Sequence, residues 1–303
     1  NNIENNITTY HLGYVLGPRI NAGGRVGKSS HGANLLLNNN AQETFKLASE
    51  LNNYNKDRQI LETDLLNKIL NTNHQNNSDP VIILYGENWH EGIIGIIAAR
   101  VKEKFNKPTI IISAGSVVGK GSARSIYGFD IGSAIIGAVQ SGLLIKGGGH
   151  KMAAGFTINL QKIKEFKEFI FRKFNSINMN LEDKKKYYYD VEIAPSAVNI
   201  EFFEKINLLA PFGSGNLEPR FLIRGLNVVN SKIVGEKHVK SVLVGSDSSS
   251  IKTISFNTVN TDLSTYLLKK NRKNFNIVGK LSLNEWRGQK NVEFIIDDIS
   301  VIK

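Results

Sequence analysis

Apolar residues recur at three- and four-residue steps between residues 41 and 70. No proline or glycine interrupts this stretch, and charged and asparagine side chains fill the intervening positions. The apolar series consists of Leu47, Leu51, Tyr54, Leu61, Leu65 and Ile69. This period is that of an amphipathic helix, so we predict helix over residues 31–71, of a length that suits a connector.

The pattern changes after a polar stretch at residues 71–80. Two short apolar runs, at 81–85 and 108–112, enclose a segment at 92–105 whose isoleucines share one helical face. A strand, a helix and a strand in this order predict a βαβ unit with parallel strands. Further elements are predicted as a helix near 130–140, a strand at 156–158 and a basic amphipathic helix over 160–174.

Short strand-like runs dominate the last part of the chain, beyond a charged linker at 175–186. They lie at 187–193, 221–229, 239–244, 251–256, 275–283 and 292–302, with a helix near 200–209 between the first two. This number of strands in so short a stretch predicts a small β-barrel of the OB type. The fold class is therefore α/β plus β: a long connecting helix, a parallel-containing α/β domain and an OB-like barrel.

Charge adds a class of partner to this picture. The 303 residues contain 38 Lys and Arg against 27 Asp and Glu, a net charge of +11. Such an excess favours an anionic partner, of which nucleic acid is the commonest, although a solvated basic surface remains an alternative.

Other features of the composition bear on the compartment. Cysteine is absent, which excludes disulfides and thiolate metal sites and fits a cytoplasmic protein. No apolar run approaches the length of a membrane span, and residues 1–10 lack a signal-peptide core. The chain opens on Asn1 and its methionines are Met152 and Met179, so we expect that an upstream part is missing.

Three nucleotide or metal motifs are approached but not completed. Residues 22–29 (AGGRVGKS) resemble a Walker A string, yet no apolar strand precedes them, which favours a basic glycine-rich loop that positions a phosphate or packs closely on a neighbour. His90-Glu91 would begin a zincin motif, but its second histidine falls at Ile94. Gly119-x-Gly121 begins a dinucleotide fingerprint that ends at Arg124 instead of glycine.

Two stretches carry the residues expected of a phosphate site. Lys120, Ser122 and Arg124 alternate and so share one strand face, which suits phosphate oxygens, although an ordinary polar strand face is the alternative. Residues 147–150 are three glycines followed by His150. They predict an anion-binding nest, to which the N-terminus of a helix starting near His150 would add positive potential; the alternative is a tight turn with a surface histidine.

The predicted barrel supplies cations and an aromatic residue of the kind that holds single strands. Scattered surface charge is the alternative. The candidates are Arg220, Arg224, Lys232, Lys237, His238, Lys240, Trp286, Arg287 and Lys290.

Five strings resemble, in order and spacing, those of the RecJ family in the DHH phosphoesterase superfamily. They are GPRINAGGR at 17–25, WHEGIIGIIAAR at 89–100, GSARS at 121–125, GGGHKMAAG at 147–155 and PFGSGNLEP at 211–219. The resemblance covers nearly the whole chain. It implies a 5′–3′ single-stranded-DNA exonuclease of DNA repair and recombination that uses Mn²⁺ or Mg²⁺.

The resemblance also implies a domain plan. Residues 1–30 would be the tail of a DHH catalytic domain, 31–78 connecting helices, 79–178 the DHH-associated domain and 187–303 an OB-like domain that binds single strands. Single-stranded DNA would be the substrate, and single-strand-binding or helicase proteins would be further partners of a monomeric enzyme.

Individual roles follow from the matched positions. Arg25, Ser122 and Arg124 match residues that recognise the terminal phosphate, and His150 matches the glycine-loop histidine facing the scissile phosphate. Gly147, Gly148 and Gly149 form that loop. Trp89 and His90 match residues near the cleft between the two catalytic-core domains, through which the substrate would thread.

The chain departs from the family in one respect that matters for catalysis. It contains no Asp-x-Asp or Asp-His-His string, so the metal ligands would lie upstream of Asn1. We therefore expect this chain to bind single strands without hydrolysing them, since hard divalent ions need clustered carboxylates. A non-catalytic single-strand-binding module and a DHH-type phosphodiesterase of small nucleotides are the alternative functions.

Overall fold

The structure is a computed structural model that describes residues 7–71, 79–177, 187–269, 273–286 and 288–301. The chain divides into two units, residues 1–184 and 185–303. The predicted linkers at 71–80 and 175–186 lie largely outside the described residues, as does Arg287.

Helices open the first unit. A π-helical stretch, His11–Leu16, runs into α1 (Gly17–Val26), and α2 (Ser30–Leu37) and α3 (Ala41–Asn71) follow. The continuous helix predicted over 31–71 is thus two helices. The break occurs because the Asn40 side chain accepts the backbone N–H groups of Gln42 and Glu43 at 3.0 and 3.1 Å, which caps a new helix start.

The glycine-rich segment around residues 17–28 was predicted as a loop, and this prediction was wrong, because most of the segment is helix. Pro18 is the second residue of α1, directly after the π-helical stretch. Gly27 follows the helix, and a side-chain carbon added to it would lie 2.5 Å from the Tyr54 ring on α3. Close packing, the second of the two predicted roles, therefore accounts for this glycine.

The other elements of the first unit form a five-stranded mixed sheet with its helices. They are β1 (Ile82–Glu87), α4 (Ile94–Phe105), β2 (Thr109–Ala114), β3 (Val118–Arg124), α5 (Ile131–Gln140), β4 (Lys146–His150), β5 (Ala153–Asn159) and α6 (Ile163–Asn175). The sheet order is β1-β2-β3-β5-β4. β1 and β2 are parallel, as the βαβ pattern predicts, whereas β3, β5 and β4 are antiparallel neighbours.

Helices α5 and α6 bury one apolar face of this sheet. Ile110 and Ile112 of β2 and Ile158 of β5 are fully buried with Ile135 and Phe166 of these helices. The remaining polar positions of β3, β4 and β5 are thereby left on the opposite face, because side chains alternate along a strand.

The second unit has OB topology. It contains β6 (Val191–Glu192), α7 (Ile200–Asn207), β7 (Phe221–Val234), β8 (His238–Val244), β9 (Ser250–Ser255), α8 (Asp262–Leu268), β10 (Phe275–Trp286) and β11 (Gln289–Val301). Pairings run β10-β11-β9-β8-β7, and β7 also pairs with β10, around a core that includes Phe221, Phe275 and Phe294. The predicted fold class is confirmed, although the strand expected at 187–193 shrinks to the two residues of β6.

The length and apolar character of the helices bear on membrane insertion. Across the described ranges, none combines the length and the apolar character that crossing a bilayer requires.

Candidate functional site

A cavity of about 750 Å³ opens on the polar face of the first unit. Its walls come from the end of α1, the start of α4 and strands β3, β4 and β5. The lining residues are Arg25, Glu91, Gly92, Ile94, Gly95, Lys120, Gly121, Ser122, Arg124, Lys146, Gly147, Gly148, Gly155, Phe156 and Thr157.

Strand register arranges the residues on this face of the sheet in three rows across β3, β5 and β4, and the cavity lies over part of them. Directly paired residues share a face, and successive rows are two residues apart, about 7 Å along the strands. We call them the lysine row (Lys120, Thr157, Lys146), the glycine row (Ser122, Gly155, Gly148) and the arginine row (Arg124, Ala153, His150).

Arg124 is the most constrained cation of the site. Its Nη1 donates to the Ser122 hydroxyl at 3.2 Å and to the Ala123 carbonyl at 2.8 Å. Burial lowers the pKa of Arg124, and the charge of Arg25 lowers it further. Gly95 leaves room for the pair, because an added Cβ there would lie 3.0 Å from Arg124 Nη2 and 3.1 Å from Ser122 Oγ.

Arg25 reaches the same cavity from the last turn of α1. Its Nη1 donates to the Gly92 carbonyl at 3.2 Å. The backbone of α1 lies so close to Gly92 that any side chain there would overlap the Arg25 carbonyl. The helix end, and with it the guanidinium, is therefore fixed against the turn that leads into α4.

Positive charge in the cavity exceeds negative charge. Over the described residues, Arg25, Arg124 and Lys146 form no ion pair with a carboxylate, whereas Lys120 pairs with Glu91 at 2.5 Å. Two guanidiniums in one cavity without a counter-ion repel each other, as the effect of Arg25 on the pKa of Arg124 shows, and a bound anion relieves this repulsion. The arrangement is that of a site for phosphate or another oxyanion.

The prediction for the glycine-histidine stretch is also corrected. Residues 146–150 form the edge strand β4 and not an anion nest, and β5 follows after a short turn, so no helix opens at His150. Extended glycines pair with β5 here, which keeps their N–H groups from converging as a nest requires. Gly147 and Gly148 line the cavity, whereas Gly149 and His150 do not.

His150 is exposed, and its ring is oriented by the backbone. Nδ1 accepts the N–H of Met152 at 3.3 Å, so Nε2 carries the proton of the neutral ring. A ring held in this way offers an N–H donor, which suits a phosphate oxygen.

Trp89 and His90 lie in the turn before α4 and do not line the cavity. Trp89 is half-buried, packs against the apolar cluster beneath α4 and accepts the Ser113 hydroxyl at its carbonyl. His90 is exposed and accepts the N–H of Gly92 at Nδ1, at 3.1 Å. Both residues shape the turn that carries Gly92.

Three polar side chains of the lining were not among the sequence candidates: Glu91, Lys146 and Thr157. Lys146 and Thr157 join the site only through the pairing of β4 with β5, which no local pattern gives. The alternation of Thr157 with buried Phe156 and Ile158 is the one sequence feature that would have turned it toward this face.

The described side chains that could bind a metal ion are dispersed. Within the described part of the chain, no three or more His, Asp or Glu side chains cluster as a metal site requires. The residues present do not fit a bound Mn²⁺ or Mg²⁺, and we derive no step through such an ion.

The barrel carries a separate basic surface. Lys232, Lys240 and Lys252, on β7, β8 and β9, line a cavity of about 120 Å³. Several predicted cations are engaged in ion pairs: Arg220 with Asp297, Arg224 with Glu192 and Lys240 with Glu293. Lys232 and Lys252 have no such partner among the described residues.

Comparison with known proteins identifies both units. A family model of the DHHA1 domain matches residues 78–176, and a model of the RecJ OB domain matches residues 189–298. The single-stranded-DNA-specific exonuclease RecJ of Salmonella typhimurium is 32% identical over 302 residues, which cover 95% of this chain and 51% of that protein. RecJ of Bacillus subtilis is 27% identical over 299 residues, 96% of this chain and 37% of that protein.

A solved structure agrees with these relatives. RecJ from Thermus thermophilus, crystallised in complex with Mn²⁺, superposes with a TM-score of 0.81 at 27% identity, over 98% of this chain and 42% of that one. The chain thus spans about half the length, or less, of the proteins it matches. With a DHHA1 domain followed by a RecJ OB domain, and relatives aligned over almost its whole length, the chain belongs to the RecJ family.

Proposed function

We propose that this chain is the substrate-binding part of a 5′–3′ single-stranded-DNA exonuclease, in which Arg25, Ser122 and Arg124 hold the 5′-terminal phosphate. The observation that carries this proposal is the pair of guanidiniums, without carboxylate partners in the described chain, that line one cavity with a serine hydroxyl. A terminal phosphate has the oxygens to accept from all three.

Polarity follows from this arrangement. A terminal phosphate carries more charge than an internucleotide one, so two guanidiniums without a carboxylate partner attract it more strongly. Removing it would leave Arg25 and Arg124 in one cavity without an anion. The enzyme would therefore prefer a phosphorylated 5′ end.

His150 is proposed to donate from Nε2 to an oxygen of the scissile phosphate, since its Nδ1 is occupied by the Met152 N–H. Gly147, Gly148 and Gly149 would let the strand approach the sheet edge without side-chain interference. Trp89 and His90 are proposed to support the turn that faces the same strand.

Hydrolysis is proposed to need Mn²⁺ or Mg²⁺. The ion would be held by a part of the enzyme that corresponds to the portion of its relatives outside the match with this chain. The described residues offer no cluster for such an ion. This chain alone is therefore expected to bind single strands without cutting them. The barrel would hold the strand before it enters. A monomeric state, a cytoplasmic location and single-strand-binding or helicase partners stay predictions.

The test compares short single strands of one sequence, with a 5′ phosphate or a 5′ hydroxyl, by fluorescence anisotropy in the presence of EDTA. The wild-type chain is expected to bind the phosphorylated strand about tenfold more tightly. Arg124→Ala should remove that preference, and Arg124→Lys should restore part of it.

Arg172→Ala on α6 is the matched control, since it removes an arginine charge from the same unit at an exposed position that forms no ion pair with any described residue. It should leave the preference intact. Equal affinity of the wild-type chain for the two ends, or an equal loss on both ends in Arg124→Ala, would rule out the assignment.

A further inference from the structure

The cavity extends well beyond the three residues proposed to hold the terminal phosphate. Its volume of about 750 Å³ is that of a site for a nucleotide-sized ligand and not for one phosphate group. Arg124 lies at one end of its floor and the lysine row at the other. Cations thus lie at both ends of the same cavity.

The glycine row between these ends leaves the floor open. A side-chain carbon added to Gly148 would meet no atom within 4 Å, and one added to Gly155 would meet its first at 3.8 Å. A ligand group can therefore lie flat on the strands between Arg124 and the lysine row. Nothing in the lining divides the cavity in two.

Charge at the lysine row is only partly compensated. Lys146 is exposed and forms no ion pair with any described residue. Lys120 pairs with Glu91, which is half exposed and lines the cavity too. The Thr157 hydroxyl, directly paired with both lysines, forms no hydrogen bond in the described chain. Two ammonium groups and one hydroxyl, opposed by one carboxylate, leave this end net positive.

The position of the lysine row fixes what it can reach. His150, proposed to face the scissile phosphate, belongs to the arginine row. The lysine row therefore lies on the far side of Ser122 from His150. A group bound there would be attached on the 5′ side of the phosphate held by Arg124.

We propose that Lys146, Thr157 and Lys120 form a second anion subsite, which binds a phosphate lying 5′ to the one held by Ser122 and Arg124. This inference rests on the proposed function. The second phosphate would be an outer phosphate of a 5′-triphosphate end. Glu91 would release Lys120 to the incoming phosphate.

The experiment measures anisotropy with strands of one sequence that carry a 5′ hydroxyl, a 5′ monophosphate or a 5′ triphosphate. A fourth strand has a 5′ monophosphate and a neutral methylphosphonate at its first internucleotide linkage. The proteins are the wild-type chain, Lys146→Ala and Arg124→Ala. The control is Lys164→Ala, which removes an exposed lysine of α6 that lies outside the cavity and forms no ion pair within the described ranges.

A triphosphate source predicts that the wild-type chain binds the triphosphate strand about tenfold more tightly than the monophosphate strand. Lys146→Ala should abolish this gain and keep the preference for monophosphate over hydroxyl. If Lys146→Ala instead abolishes the monophosphate preference, and the methylphosphonate weakens only proteins with Arg124, the terminal phosphate lies at the lysine row, which would overturn its assignment to Arg25, Ser122 and Arg124.

The subsite is refuted if Lys146→Ala weakens all four strands by one common factor, as Lys164→Ala would. Failure of the proposed function has a different signature. In that case Arg124→Ala would leave every difference among the four strands unchanged, whatever Lys146→Ala does.

Discussion

The residues around Arg124 make its side chain suited to bind an anion. Its guanidinium is half-buried beside Ser122, and burial followed by the charge of Arg25 lowers its pKa. It stays protonated at neutral pH, so the lowered pKa expresses the unfavourable energy of two close, partly desolvated cations. A bound phosphate removes part of this cost, and the cavity is thereby prepared for an anion.

Gly95 makes the space that this guanidinium occupies, and Gly95→Ala tests it. The new Cβ would lie 3.0 Å from Arg124 Nη2 and 3.1 Å from Ser122 Oγ, so the flexible arginine must shift. We expect the 5′-phosphate preference to fall several-fold while stability changes by less than about 1 kcal/mol, because alanine favours the helix.

Gly137→Ala on α5 is the control for this substitution. Its added carbon would make an ordinary contact with Phe169 at 3.5 Å, outside the cavity. Urea denaturation and anisotropy should show a stability gain of at most about 1 kcal/mol and an unchanged phosphate preference. A normal preference in Gly95→Ala would mean that the position of Arg124 does not determine recognition.

Residues of the site differed in how far the sequence could predict them. Alternation put Ser122 and Arg124 on one strand face, and the structure has them there. Lys146 and Thr157 were not predicted as site residues, because their place beside Lys120 depends on the register of three strands. Register is set by long-range pairing, which residue spacing along one segment does not contain.

Strand β4 shows the same limit at the scale of elements. Three successive glycines have no side-chain periodicity, so the stretch resembles a loop in the sequence. Pairing with β5 makes it a strand nonetheless. Helix α1 is the converse case, in which glycines and a proline concealed a helix that forms against α3. The βαβ unit and the helices after it were predictable because their apolar residues keep one period.

The glycines of the sheet separate into structural and open positions, which a pair of substitutions tests. A side chain on Gly121 would overlap the Phe156 ring, which is 6% exposed, whereas one on Gly148 meets nothing within 4 Å. We expect Gly121→Ala to lower the free energy of unfolding by about 1–3 kcal/mol, since the core cannot accept the added carbon.

Gly148→Ala should instead fold with the stability of the wild-type chain and narrow the glycine row of the cavity. The two variants are compared by urea denaturation, and their strand affinities by anisotropy. Equal stability of both variants would contradict the packing of Phe156 against β3.

At the scale of the whole molecule, the two units carry different kinds of positive charge. The first unit gathers Arg25, Arg124 and Lys146 into one cavity, and the second spreads Lys232, Lys240 and Lys252 over three strands of its barrel. Cations on an open strand surface suit the backbone of a single strand without regard to its end. In the proposed function, the first set would recognise the end of a strand and the second set would bind its backbone.

Lys252→Ala separates these two contributions. Each phosphate contact on a single strand adds about 0.7 to the slope of log affinity against log salt concentration. We expect the substitution to reduce that slope by about 0.7 and to leave the 5′-phosphate preference unchanged. Lys205→Ala is the charge-matched control on α7, where Lys205 already pairs with Glu201 at 2.7 Å. A slope that is the same in wild-type chain and Lys252→Ala would mean that this lysine does not contact the strand.

The most direct measurement is a crystal structure of this chain with a short 5′-phosphorylated single strand. The account predicts the terminal phosphate between the guanidiniums of Arg25 and Arg124, with one oxygen accepting the Ser122 hydroxyl, and the strand continuing past His150. A terminal phosphate bound elsewhere, with that cavity free of the strand, would contradict the account.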